Sequence, residues 1–401
     1  MERRRSITAV VAVSALVATL AGAPVATAEE FDHLVQAGAL HPSQPDRPYE
    51  YTRFYPPVLD VHRGQTVQWM VVGDGVVSGF HTITFADAGR PAFIRADDLP
   101  GTYATPEEWS IGSACGRNGL PACVFDEDTS FLSSGIPPFG NSPFQVTIDV
   151  PQGMYSYFCT VHPAMSGALR VVPDSQPLPS SEEIEAEVTA AIQADTEAAD
   201  ALWDLRQDPV STIEDGQRVW RVLVGDATPD DHVSLNAYLP ATLDIEAGDK
   251  VRFQILEPVV NEVHTVTFPS AVTGGFSPVP HGLGGFGFYA SCDPDDTSTG
   301  AKGIPGTWGI AGPDCPANLE IAIAPWMTAA TPAPGGLVLT PATVHDSGIL
   351  IPPGAPANFR ELPGSGRVLP ASFEGTFPLP GDFPFECNVH VDPMAGVIRV
   401  A

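Results

Sequence analysis

Basic residues are scarce: 19 Lys and Arg stand against 48 Asp and Glu in 401 residues, a formal net charge of −29 at pH 7. Such a surface repels phosphate backbones and anionic lipid, which excludes nucleic acid as a partner. Charged residues together make up only 17% of the chain against 43% hydrophobic, so disorder throughout is excluded and sizeable cores are expected. Long apolar runs are missing after the N-terminal stretch from Ile7 to Leu20, and with them any later membrane-spanning helix. Cysteine and methionine are rare, at six each. Proline and glycine are abundant instead, 42 and 38, and predict many turns and few long helices. A length of 401 residues predicts two or three domains at about 150 residues each.

The N-terminus sets Arg3, Arg4 and Arg5 before the apolar run and closes with Ala26, Thr27 and Ala28. That is the layout of a secretory signal, predicted over residues 1–28, and it predicts a soluble mature protein outside the cytoplasm. Whether export follows the general or the twin-arginine route stays open.

Self-comparison is the most informative step, because repeated sequence implies repeated structural units. The stretch from Val58 to Trp69 aligns with that from Thr242 to Phe253, each an alternating strand, a Gly turn and a second alternating strand. Phe80 to Phe85 then matches Val263 to Phe268, Ser134-Gly135-Ile136 matches Ser347-Gly348-Ile349, and the segment around Cys159 matches that around Cys387. Many short strands without βαβ spacing predict two antiparallel sandwiches or barrels. One helix is predicted between them. Ser180 and Glu183 form a capping-box pattern, Ile184, Val188, Ile192, Ala199 and Trp203 recur at the helical period, and Pro209 stops it. Glu182, Glu183, Glu185, Glu187, Asp195 and Glu197 read as its solvated face. The expected division is a signal over 1–28, an N-terminal extension over 29–45, a first domain over 46–173, a helical linker over 174–208 and a second domain over 209–401. Loop insertions between 265 and 386 decorate the second domain.

Six cysteines in an exported protein first suggest three disulfides. Here Cys115 and Cys123 fall in one loop region, and Cys292 and Cys315 in the matching region of the second half. Each pair can close a local loop, leaving Cys159 and Cys387 unpaired at equivalent positions; the alternative is a shuffled or interdomain pairing. An unpaired thiol outside the cell needs a reason to persist, and a metal holding it as thiolate supplies one. Cys159, His162 and Met165 form one cluster; Cys387, His390 and Met394 form another. One thiolate, two imidazoles and a weak thioether suit copper in an electron-transfer site, whereas structural zinc wants four firm Cys or His ligands. The second imidazole comes from elsewhere, and His81 and His264 are the repeated candidates. His33, His41, His62, His232, His281 and His345 share no repeated spacing and read as surface residues.

On these residues each half resembles a cupredoxin, the plastocyanin, amicyanin and azurin family of type 1 blue copper proteins. The resemblance implies an all-β chain of two Greek-key sandwiches joined by one acidic helix, with one copper per sandwich and two in total. It implies ligands His81, Cys159, His162 and Met165 in the first half and His264, Cys387, His390 and Met394 in the second. The second loop has one more residue than the first and carries Asp392, expected to stabilise Cu(II) and lower that site's potential; Met394 is the ligand this departure puts in question. The resemblance also sets the backbone N–H of Thr82 and Thr265 against the cysteine sulfurs. It turns His162 and His390 toward a partner, bordered by Pro163, Ala164 and Pro393.

Oxidases and nitrite reductases of related build place a His directly before the cysteine or pair histidines as His-x-His. Phe158 and Glu386 stand before the cysteines here, and no His-x-His occurs among the ten histidines. The expectation is therefore an exported electron carrier rather than an enzyme, its acidic surface steering an unidentified cationic redox partner. A copper carrier or buffer without electron transfer is the alternative, and an oxidoreductase subunit using the insertions of the second half is a further one.

Overall fold

The computed structural model describes residues 31–44, 47–73, 81–86, 113, 115–116, 120–135, 143–159, 162, 164–256, 263–268, 337–340, 345–347, 350–353, 369–387, 390 and 394–401. The signal segment, His281, Cys292, Cys315, Asp392, Pro163, Pro393 and most of the second-half insertions lie outside the described residues.

Two β-sandwiches with one strand order account for the described chain. In the first, one sheet runs Phe54–Tyr55, His33–Ala37, Thr66–Val71, Pro143–Asp149, Cys123–Asp126. It faces a sheet of Val58–Val61, Ser166–Val171, Gly153–Phe158, Thr84–Ala86 and Phe131–Ser133. The second half repeats both orders: Val233–Leu239, Gln217–Ala227, Lys250–Gln254, Ser372–Thr376, Leu337–Val338 against Thr242–Ile245, Ala395–Val400, Gly381–Glu386, Thr267–Phe268, His345–Asp346. Parallel pairings recur too, since His33–Ala37 lies parallel to Thr66–Val71 as Gln217–Ala227 does to Lys250–Gln254.

Alternation builds these strands. Phe144, Val146 and Ile148 of Pro143–Asp149 point inward while the residues between them are half-buried. Aromatic rings fill corresponding places in both cores: Trp69, Phe85, Tyr157 and Phe54 in one, and Phe253, Phe268, Phe385 and Tyr238 in the other. Burying each such ring stabilises by roughly 1.5–3 kcal/mol.

The helix spans Ser181–Leu205, with the Ser180–Glu183 capping box formed in both directions. Its apolar stripe packs with Tyr49, Tyr51, Tyr55, Leu223 and Leu235 in a cluster that draws on both sandwiches. Asp195, read from sequence as part of the solvated face, is instead buried. Arg53 donates to its carboxylate at 3.0 and 3.2 Å, the Tyr55 hydroxyl donates at 2.6 Å, and His232 Nδ1 lies 3.1 Å away. His41 is likewise not a surface residue: it is buried and its Nε2 lies 3.2 Å from Asp200. Both corrections have one cause. The helix is a wedge between the sandwiches, so one edge of its acidic face meets cations and hydroxyls contributed by distant segments.

Two N-terminal segments also fall where the sequence did not put them. His33–Ala37, expected in an extension, is an inner strand of the first sandwich. Tyr49–Tyr51 leaves the first sandwich and adds to the second, pairing antiparallel with Val233–Leu239 as Tyr49↔Leu235, Glu50↔Ser234 and Tyr51↔Val233. The repeat register that aligns Val58 with Thr242 aligns Glu50 with Ser234, and Tyr49 and Tyr51 with Val233 and Leu235. Equivalent strands therefore dock on each other about a local twofold axis at Glu50 and Ser234, the self-complementary contact of a symmetric dimer made within one chain.

Candidate metal centres

Each sandwich gathers one free cysteine and two histidines from three separate places in the chain. The strand histidine enters on the short segment before Thr84–Ala86 or Thr267–Phe268. The cysteine directly follows Gly153–Phe158 or Gly381–Glu386, and the second histidine comes three residues later, before the last strand. Serine fixes the entry. Ser134 accepts at 2.9 Å from the N–H of Ile83, and Ser347 at 2.8 Å from that of Val266, with reciprocal backbone bonds at 2.9 and 3.0 Å. The Ser-Gly-Ile match thus has a function the sequence reading did not give it: it pins the histidine segment.

In the first centre His81 Nδ1 lies 3.0 Å from His162 Nδ1, and Cys159 Sγ lies 3.5 Å from His162 Nδ1. In the second the two Nδ1 atoms of His264 and His390 are 3.1 Å apart, and Cys387 Sγ is 4.0 Å from each. Three donors each about 2 Å from a shared ion stand about 3.5 Å apart in a trigonal arrangement, so both triangles have the size a metal needs. All six side chains are buried. Among the described residues Cys159 and Cys387 are the free cysteines, and Cys115 is bonded to Cys123.

Electrostatics favours thiolate. Burial pushes both thiols up, but the facing imidazoles outweigh it and hold Cys159 and Cys387 well below the usual thiol range. The Thr82 and Thr265 backbone N–H groups each donate to the cysteine sulfur at 3.3 Å, as the resemblance implied. Burial lowers His81, yet the Glu50 carboxylate and the Cys159 sulfur leave it raised overall.

Met165 and Met394 are buried in the same cores as the cysteines. Cys159 N–H donates to Met165 O at 2.9 Å, and Cys387 N–H to Met394 O at 2.9 Å. The Met165 N–H returns to His162 O at 2.9 Å, and the Met394 N–H to His390 O at 3.2 Å. The cysteine–methionine backbone tie is thus the same in both halves although the second loop carries one more residue. His162 and His390 are only 3% and 5% exposed, so both rings are closed in rather than open to solvent.

Sequence reading missed the layer behind the strand histidines. Gly38 and Gly225 both take φ of +80°; a Cβ on Gly38 would come within 2.6 Å of His81 Nε2, and one on Gly225 would collide with His264 Nε2. Both follow or interrupt the inner strand, and only the repeat of Gly at matching places could have flagged them. Glu50 Oε1 stands 3.0 Å from His81 Nε2, a short contact without the geometry of an aligned hydrogen bond. A third group, Asp195, Asp230 and His232, also clusters. Arg53 already occupies it as the cation, 3.0 Å from Asp195 and 3.2 Å from His232.

Sandwich topology defines the fold: both halves are cupredoxin-like β-sandwiches. An oxidised amicyanin mutant is 18% identical over 36% of this chain and 87% of its own, with a TM-score of 0.20. Auracyanin from Roseiflexus castenholzii is 20% identical over 35% and 96%, at 0.21, and a fern plastocyanin mutant 23% identical over 35% and 99%, at 0.18. No protein-family model matches the chain, and neither does any curated protein sequence. Strand order and the placement of the Cys, His and Met side chains, rather than these overlaps, carry the fold assignment. Among the described residues no helix is long and apolar enough to cross a membrane.

Proposed function

We propose that the protein is an exported two-centre copper protein that passes single electrons, with one ion held by His81, Cys159, His162 and Met165 and another by His264, Cys387, His390 and Met394. The observation that carries this reading is the repeated convergence of a free, thiolate-favouring cysteine with two Nδ1 atoms at separations of 3.0–4.0 Å. The donor set fits copper: one thiolate, two imidazoles and a thioether suit a soft one-electron metal and leave zinc short of firm ligands. When bound, copper supplies the one-electron couple.

The chain supplies the rest. Cys159 and Cys387 present thiolate, and the Thr82 and Thr265 N–H groups draw electron density from the sulfur, which favours the reduced state. Rigid sheets and serine-pinned segments hold the donors in one geometry for both oxidation states. Burial excludes water. The acidic surface steers a cationic redox partner, so the association rate should fall as salt rises.

Copper loading followed by visible absorption and metal counting tests the reading. Two coppers per chain with intense thiolate-to-copper bands are expected, and Cys159→Ser or Cys387→Ser should each remove one ion and part of the colour. Colourless zinc retention would reject the reading, and rapidly exchanging copper with no electron exchange would favour a carrier or buffer instead.

A further inference from the structure

The two centres share their inner donors but not the layer behind them. Glu50 and Ser234 are equivalent in the repeat and face each other across the docked strands. Behind His81 stands the Glu50 carboxylate, its side chain 2% exposed and 3.0 Å from Nε2. In the second sandwich the repeat-equivalent residue is Ser234; among the described residues neither its buried Oγ nor the buried His264 Nε2 has a hydrogen-bond partner, and no carboxylate is paired with that ring as Glu50 is with His81. A buried carboxylate is costly unless something pairs with it, and a serine serves the matching position, so the fold itself does not require the charge.

We propose that Glu50 is a positioning residue that sets the reduction potential of the first centre below that of the second. This rests on the copper reading above. A fixed negative charge behind an imidazole ligand, in a site sheltered from water, stabilises Cu(II) more than Cu(I). The repeat-equivalent residue of the second sandwich, Ser234, carries only a hydroxyl, so at equilibrium an electron given to the protein rests on the second sandwich. Because Glu50 rides on the strand that the first sandwich lends to the second, this inequality exists only while the two are docked. Asp392, expected from the sequence to lower the second centre's potential and so to oppose this ordering, lies outside the described residues.

The test is redox titration of the copper-loaded full chain, reading the thiolate-to-copper band, with Cys387→Ser isolating the first centre and Cys159→Ser the second. Without substitution at residue 50 the first centre should have the lower midpoint. Glu50→Gln keeps an acceptor near His81 but removes the charge. It should weaken the preference of the first centre for Cu(II) about tenfold, raising its midpoint, and leave the second centre unmoved. A purely structural Glu50 would leave both midpoints where they are. Should Glu50→Gln fail to fold, Ser234→Glu should lower the midpoint of the second centre. Equal midpoints in the parent chain, or an unmoved first centre in folded Glu50→Gln, would overturn the proposal while the copper reading stands. No thiolate-to-copper band at all would overturn both.

Discussion

Behind the strand histidine of the first sandwich stands a buried carboxylate, Glu50; its repeat equivalent in the second sandwich is a buried serine, Ser234. Strand order, aromatic core, serine latch, threonine N–H to sulfur and a glycine against the imidazole are duplicated, while a second difference lies beside the cysteines, where buried Glu386 precedes Cys387 and buried Phe158 precedes Cys159. The comparison teaches which layer is free to diverge. Donor atoms are held by chemistry, and the frame that delivers them is held by packing. The layer behind tolerates Glu or Ser and can tune each centre separately. Loop length diverges while the backbone tie is kept, Cys387 donating to the Met394 carbonyl as Cys159 does to that of Met165.

The sharpest way to break the comparison is to loosen the junction that carries Glu50. Asp195→Asn leaves Arg53 and Tyr55 without their buried carboxylate and should cost about 3 kcal/mol in melting or denaturant unfolding. It should raise the midpoint of the first centre and spare the second. The same junction gives a pH signature in the metal-free protein. Burial raises Asp195, but bonds from His232, Tyr55 and Arg53 outweigh it and hold the carboxyl below its usual range. Its stabilising contribution is therefore complete above the ordinary carboxylate value of about 4, and is lost as pH falls from there through the lowered native value. Acid melts should show the parent losing stability over that range and Asp195→Asn losing less.

A smaller effect sharpens the likeness of the two centres. Gly38→Ala and Gly225→Ala both force a side chain into φ of +80° against an imidazole, a cost of about 2 kcal/mol each with weakened copper retention. Gly38→Ala should be the worse. Its Cβ also meets the Val72 carbonyl, rigid backbone, at 2.8 Å, whereas at Gly225 the three nearest atoms all belong to the His264 ring.

Repetition made the eight candidate ligands and the sandwich class legible, because Cys, His and Met recur in order at matching places. It failed where equivalents differ in type. Glu50 and Ser234 align in the repeat, yet nothing in either residue announces that they meet across an axis. His33–Ala37 shares little sequence with Gln217–Ala227, so its parallel pairing with Thr66–Val71 left no trace in the pattern. Asp195 and His41 failed for a third reason. A charged position at helical spacing reads as solvated until the segments that neutralise it, Arg53 and His232 for the first and Asp200 for the second, are brought beside it by the fold.

Anomalous diffraction at the copper edge from copper-loaded crystals reaches the central claim most directly. Two peaks are predicted per chain, one bonded to Cys159 Sγ and the Nδ1 atoms of His81 and His162, the other to Cys387 Sγ and those of His264 and His390. Peaks away from these sulfurs, or a disulfide at either cysteine, would contradict it.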